Sequence, residues 1–142
     1  MSVIVWDGKT LAADKQDTYG GTAVPVTKIF RVGNELVGAV GKTQECVAFI
    51  EWVRSGRPDP KPSLSENFCG YIVNNGHLWR YEDMLVGVMM DVPFWAGGCG
   101  ADYAMGAMAM GAAAQRAVEV ACQLDVQCGL GCDTLQEVDS EQ

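Results

Sequence analysis

MSVIVWDGKTLAADKQDTYGGTAVPVTKIFR, residues 1–31, is the stretch whose reading decides the fold. Two short apolar runs, Val3 to Trp6 and Leu11 to Ala13, flank Asp7-Gly8-Lys9. Aspartate-glycine between such runs marks a tight hairpin, because glycine accepts the positive φ that the turn demands. Ser2 therefore opens one strand and Asp14 closes the next. After a break at Gly20-Gly21 come Val24 to Val26, and Lys28 ends a third extended piece. A hydroxyl beside the first methionine, a carboxylate and a lysine thus all fall on strand ends.

One chemistry uses those three groups together. A serine hydroxyl is a poor nucleophile until a base takes its proton. With Met1 removed, Ser2 carries its own base, since an α-amine has a reference pKa of about 7.7–8.0. A neighbouring ammonium favours the neutral amine and stabilises negative charge developing on the oxygen. A carboxylate beside that ammonium keeps it charged and in place. Ser2, Lys28 and Asp14 supply these parts. Taken alone they also suit a plainer role, because charged residues at strand ends are commonly solvated.

Beyond residue 31 the turn signals continue. Gly33-Asn34 joins extended runs at Lys28 to Val32 and Leu36 to Val40. From Gln44, the spacing of Cys46, Val47, Phe49, Ile50 and Val53 predicts a helix with Trp52 on its flank, ended by Ser55-Gly56. Three prolines in residues 57–65 predict an irregular, exposed connection. A third hairpin, Cys69 to Val73 with Leu78 to Tyr81, turns at Asn75-Gly76. A further apolar run covers Leu85 to Val92, before a break at Gly97-Gly98. Small residues from Ala101 predict a helix interrupted at Gly111, and a second from about Ala113 to Leu124. Its methionines read as packing residues. A last strand is predicted near Thr134 to Val138.

Length and composition narrow the function classes. The 142 residues make one domain, 1–138, with a loose tail at 139–142. A net charge of −8 argues against a nucleic-acid partner and against an anionic membrane surface. No apolar run approaches the roughly 20 residues that span a bilayer, and no secretory signal is visible. The six cysteines read as small buried residues rather than a disulfide framework. Cys128-Gly-Leu-Gly-Cys132 lacks the second ligand pair of a zinc site. His77, the sole histidine, sits in a predicted turn and gives no support to a His-based triad.

The ordered set of segments resembles the proteasome β-subunit family, more closely the HslV-type bacterial peptidases and their small bacteriophage-encoded versions. The pieces are Ser2 to Trp6, Ala12 to Gly20, Val26-Thr27-Lys28-Ile29, Leu36 to Gly41, Gly98 to Ala104, and Ala117 to Ala121 ending at Asp125. The resemblance implies an α+β N-terminal-nucleophile hydrolase fold, a four-layer αββα sandwich with two packed antiparallel sheets. The proline-rich linker stands where the family has a second central helix.

The resemblance also implies roles. Ser2 stands at the family's nucleophile, without the γ-methyl that fixes a threonine hydroxyl's rotamer. Asp14 and Lys28 match its acidic residue and lysine, and Thr18 its substrate-binding threonine. The backbone N–H of Gly41 or Lys42 is the implied oxyanion donor. Cys99 replaces a serine near the nucleophile's amine, and a thiol is the weaker donor. Asp125 and Cys128 take the positions of a second acidic residue and a Ser/Thr. Backbone carbonyls at Cys122, Asp125 and Cys128 correspond to a sodium site; no other cofactor is implied.

The implied activity is peptide-bond hydrolysis through an acyl-enzyme, on a peptide or protein substrate. Implied partners are further copies of the chain, in a ring, with an ATPase unfoldase or a phage structural protein. The implied place is the cytoplasm, the host's if phage-encoded, or the virion. Two alternatives stand beside it: an inactive structural or assembly protein of the same fold, favoured by the residues at 2, 99 and 128, and an amidohydrolase of another N-terminal-nucleophile family.

Overall fold

A computed structural model describes residues 2–138; the processing of Met1 and the expected tail at 139–142 lie outside the described residues. The first half contains β1 (Val3–Trp6), β2 (Thr10–Asp14), β3 (Gln16–Tyr19), β4 (Thr22–Pro25), β5 (Ile29–Val32), β6 (Glu35–Val40) and α1 (Thr43–Arg54). The second contains β7 (Cys69–Asn74), β8 (His77–Tyr81), β9 (Gly87–Met90), β10 (Trp95–Gly98), α2 (Ala101–Ala109), α3 (Ala114–Leu124) and β11 (Cys132–Gln136).

The hairpin at Asp7-Gly8 forms as its sequence demands. Ile4 pairs with Ala13 in antiparallel register. The Asp7 carboxylate accepts the Lys9 and Thr10 amides at 2.9 and 2.7 Å, closing the turn. This hairpin is the centre of a four-stranded sheet ordered β10-β1-β2-β11. A five-stranded antiparallel sheet runs β5-β6-β7-β8-β9 in sequence order, with hairpins at Gly33-Asn34 and Asn75-Gly76.

Strand alternation divides the core into three. Val3 and Val5 of β1 point toward α2 and α3, where Ala104, Met108, Ala117, Val118 and Ala121 fill the space. Ile4 and Trp6 point the other way, onto Leu36, Tyr71, Val73 and Leu78 of the five-stranded sheet. That sheet's opposite face, including Val37, Ala39 and Ile72, meets Phe49, Ile50, Trp52 and Val53 of α1. Every residue of β1 is therefore buried, at roughly 1.5–3 kcal/mol for each large apolar side chain withdrawn from water. The strand that follows Ser2 is thus buried along its whole length.

Four expectations need correction. Gln16–Tyr19 and Thr22–Pro25 form a separate two-stranded ribbon about the Gly20-Gly21 turn; the first strand was not anticipated, because its partly exposed residues show no core-facing alternation. Gly97-Gly98 is no break but half of β10, paired with Ile4 and Val3. Glycine is there for closeness: a Cβ on Gly97 would meet the Tyr71 hydroxyl at 2.3 Å. The last strand begins two residues earlier than expected, at Cys132, opposite Asp14. On α1, Trp52 is core and Val47 is exposed, the reverse of the expected faces; the Trp52 indole N–H reaches the Pro58 carbonyl at 3.0 Å, tying the linker to the helix.

Candidate active site

Asp14 is the fixed point of the site. It is fully buried at the end of β2, where a lone carboxylate would be prohibitively costly unless ion-paired and hydrogen-bonded. One oxygen accepts the Lys28 ammonium at 2.7 Å and the Val3 amide at 3.1 Å. The other accepts the Gly129 and Gln16 amides at 3.0 and 3.2 Å. A single side chain thus joins β1, the start of β3, the segment before β5 and the turn after α3. The Lys28 side chain is 8 % exposed, so the pair is shielded from solvent screening.

Ser2 is buried just before β1, and its neighbour's amide is the one Asp14 holds. Its carbonyl is wrapped by the turn Gly98-Cys99-Gly100. The Cys99 thiol donates to that carbonyl at 3.4 Å, as does the Gly100 amide. Gly98 has φ +98°, and a Cβ there would lie 2.1 Å from the Ser2 oxygen. No side chain fits at residue 98 without moving Ser2.

Two openings meet at Ser2. A cavity of about 220 Å³ is lined by Ser2, Lys28 and Gly41 with Phe30, Cys46 and Ile50. A wider groove is lined by Ser2, Thr18, Gly41, Lys42 and Cys99, among others. The structure therefore brings Ser2, Lys28, Thr18, Gly41, Lys42 and Cys99 to one place, with Asp14 behind them. Burial pushes the Cys46 thiol up to about 11, so that wall of the cavity is uncharged near neutral pH. At the cavity's outer part, Arg54 pairs with Glu51 at 2.7 Å and lies over the Phe30 ring.

Asp125 and Cys128 stand one step back. The Cys99 sulfur lies 3.8 Å from that of Cys128, and the Asp125 carboxylate joins the two within 4.8 Å. Burial is the main force raising both thiols, and Asp125 adds to it in each. Cys122 does not join them; it lines a separate cavity with Cys132, where burial pushes each thiol up to about 11. The sequence reading missed Cys46, Phe30 and Ile50 as cavity walls, though the helical spacing of 46 and 50 placed them on one face.

No protein-family model matches the chain, and no curated protein matches it. Solved structures do. BPH from Thiobacillus denitrificans superposes with a TM-score of 0.72 at 19 % identity, covering 98 % of each chain. The same protein in complex with epoxomicin gives 0.70 at 19 % identity, over 97 % of this chain and 98 % of that one. The eukaryotic HslV from Trypanosoma brucei gives 0.69 at 15 % identity, over 94 % and 97 %.

This chain has the HslV-type fold. The likeness covers nearly the whole chain and is one of fold. Among the described residues, no helix is long and apolar enough to cross a membrane.

Proposed function

We propose that the chain is an N-terminal-nucleophile peptidase with Ser2 as its nucleophile, in a four-layer αββα arrangement. The observation that carries this reading is the buried Lys28–Asp14 pair at 2.7 Å, locked to the Val3 amide next to Ser2 and opening onto the same cavity. A surface ion pair would need no such enclosure.

Removal of Met1 frees the α-amine of Ser2. The amine takes the hydroxyl proton, and Oγ attacks a peptide carbonyl. Lys28 holds the amine neutral by charge repulsion and steadies the developing oxyanion, while Asp14 holds Lys28 in place through the ion pair. The amide at Gly41 or Lys42 donates to the oxyanion. The amine then returns its proton to the leaving nitrogen, and water releases the acyl group from Ser2. Thr18 lies along the wider groove, where it contacts the peptide backbone, and the apolar cavity receives a side chain. Cys99 and Asp125 act behind the amine, on the Ser2 carbonyl and on the Cys99 thiol.

A sodium ion on the carbonyls of Cys122, Asp125 and Cys128 fits the donor chemistry. Cys122 lies in the last turn of α3, where carbonyls run out of helical N–H partners. It would brace the turn carrying Gly129, and no step above runs through it. The proposal extends to assembly with further copies of this chain, to an unfoldase partner and to a soluble place in the cell.

The BPH neighbour was solved with epoxomicin, which makes that peptide epoxyketone the natural probe. Incubated with this protein, it should add its mass to the peptide beginning at Ser2, and Ser2→Ala should abolish the adduct. A folded protein that lacks Met1 yet takes no adduct overturns the peptidase reading. The second reading, an inactive structural or assembly protein, such as a phage virion component, then stands. The Cys99 thiol beside Ser2, a weak donor whose ionisation is opposed by burial, is the observation that favours it.

A further inference from the structure

We propose that Cys99 and Cys128 form an oxidisable dithiol: a peroxide converts them into a disulfide, removing the S–H donor from the Ser2 carbonyl. The observation behind this is geometric. The two sulfurs are 3.8 Å apart, and a shift of under 2 Å brings them to the bonded separation of about 2.05 Å. Both lie in glycine-flanked turns rather than in regular elements, Cys99 between Gly98 and Gly100 and Cys128 before Gly129. The Cys128 sulfur already occupies space left by the missing side chain of Gly100, 2.9 Å from where a Cβ would stand.

The pair differs in access. Cys99 is half-buried and lines the groove shared with Ser2, whereas Cys128 is buried. Cys99 is thus the sulfur that meets the oxidant and Cys128 the one that resolves it. The Cys99 thiolate attacks hydrogen peroxide; an S–O bond forms as the O–O bond breaks, leaving a sulfenic acid and hydroxide. The Cys128 sulfur then attacks Cys99, an S–S bond forms, and the sulfenic oxygen departs with a proton as water. In sum, two thiols and one peroxide give one disulfide and two waters.

The position gives the bond a consequence. Cys99 holds the Ser2 carbonyl, and the residue after Cys128, Gly129, donates to Asp14. A disulfide has no S–H, so it releases Ser2 on one side while tying the 98–100 turn to the one that holds Asp14.

The test is peroxide treatment of the purified protein, followed by digestion and mass spectrometry. Cys122, Cys128 and Cys132 share the tryptic peptide that begins at Ala117, so fragmentation must localise the bond. The expected product has Cys99 joined to Cys128, is lighter by two hydrogens and reverts with dithiothreitol. Cys128→Ser should leave Cys99 as a sulfenic acid that dimedone traps. Free thiols at both positions after treatment overturn the proposal, as does over-oxidation of Cys99 with Cys128 untouched, or a bond between Cys122 and Cys132 alone; these outcomes are read on the natural chain and do not depend on a variant folding.

The functional half rests on Ser2 being the nucleophile. The oxidised protein should react with epoxomicin about tenfold more slowly, the worth of one hydrogen bond, and recover on reduction. Unchanged labelling of the linked form overturns that half. A bond that forms in a protein never labelled by epoxomicin overturns the peptidase reading instead and leaves the dithiol standing.

Discussion

Asp14 and Lys28 do not contribute equally, although they form one ion pair. Asp14 also satisfies three backbone amides, those of Val3, Gln16 and Gly129. Asp14→Asn withdraws the negative charge from a buried ammonium and turns an amide group toward N–H donors. The expected cost is about 3–5 kcal/mol, the usual range for breaking a buried pair. Lys28→Met keeps the stem's packing and leaves the carboxylate accepting its three amides, so it should cost clearly less. Denaturant unfolding of both variants checks the order; equal losses would mean that the amides contribute nothing. Both variants should abolish epoxomicin labelling, Lys28→Met while remaining folded at room temperature. In the sequence Asp14 reads as one charged strand end among several. Its importance comes from amides at positions 3 and 129, which no local pattern connects.

Elements were legible where a turn signal and a core face coincided. The hairpins at Asp7-Gly8, Gly33-Asn34 and Asn75-Gly76 satisfy both conditions, and each formed as read. The ribbon of β3 and β4 has a glycine turn but largely exposed strands, so its first strand carried no signal. In β10 the glycines resembled punctuation, yet they exist because Tyr71 and the Ser2 carbonyl press against them. Gly98→Ala should therefore be worse than a propensity argument suggests. It adds a methyl 2.1 Å from the Ser2 oxygen at a positive φ, and a loss of about 2 kcal/mol or more follows from backbone strain alone. Gly20→Ala, also at positive φ but with open space around it, separates the conformational cost from the clash in a thermal-melt comparison.

A second element-scale feature is pH-sensitive. Glu45, in the first turn of α1, accepts both the amide and the hydroxyl of Ser65, so it fastens the end of the irregular linker to the helix that walls the cavity. Those two hydrogen bonds hold its carboxyl below the ordinary glutamate range. Because the folded value is the lower one, the tether is fully present above the unfolded glutamate pKa of about 4.3 and is lost as pH falls through the folded value. Protection of the Ser65 amide, its exchange rate relative to the intrinsic rate at each pH, should fall on acidification below that pH, and Glu45→Gln should remove that fall. Protection at Ser65 that is flat with pH in the natural chain would contradict the tether.

At the scale of the whole molecule, the charge and the exposed apolar surface pull in opposite directions. The chain carries −8, which keeps copies apart at low ionic strength. Yet β9 is the last strand of its sheet among the described residues, and Met84, Val86, Val88 and Met89 on and beside it are 46–76 % exposed. An unpaired apolar edge of this kind favours strand-to-strand association. The proposed assembly of further copies should use that edge, and its strength should then depend on salt in a definite direction. Apolar contacts hold or strengthen with salt, while the repulsion between two copies is screened once the Debye length falls to about 10 Å, near 0.1 M ionic strength. Light scattering should show the mean mass rising as salt increases from low ionic strength, and Val88→Lys should cancel the rise by placing a charge on the edge. An interface built instead from ion pairs would weaken with added salt. A monomer at every ionic strength would remove the assembly from the proposal while leaving the Ser2 site, which lies within a single chain, untouched.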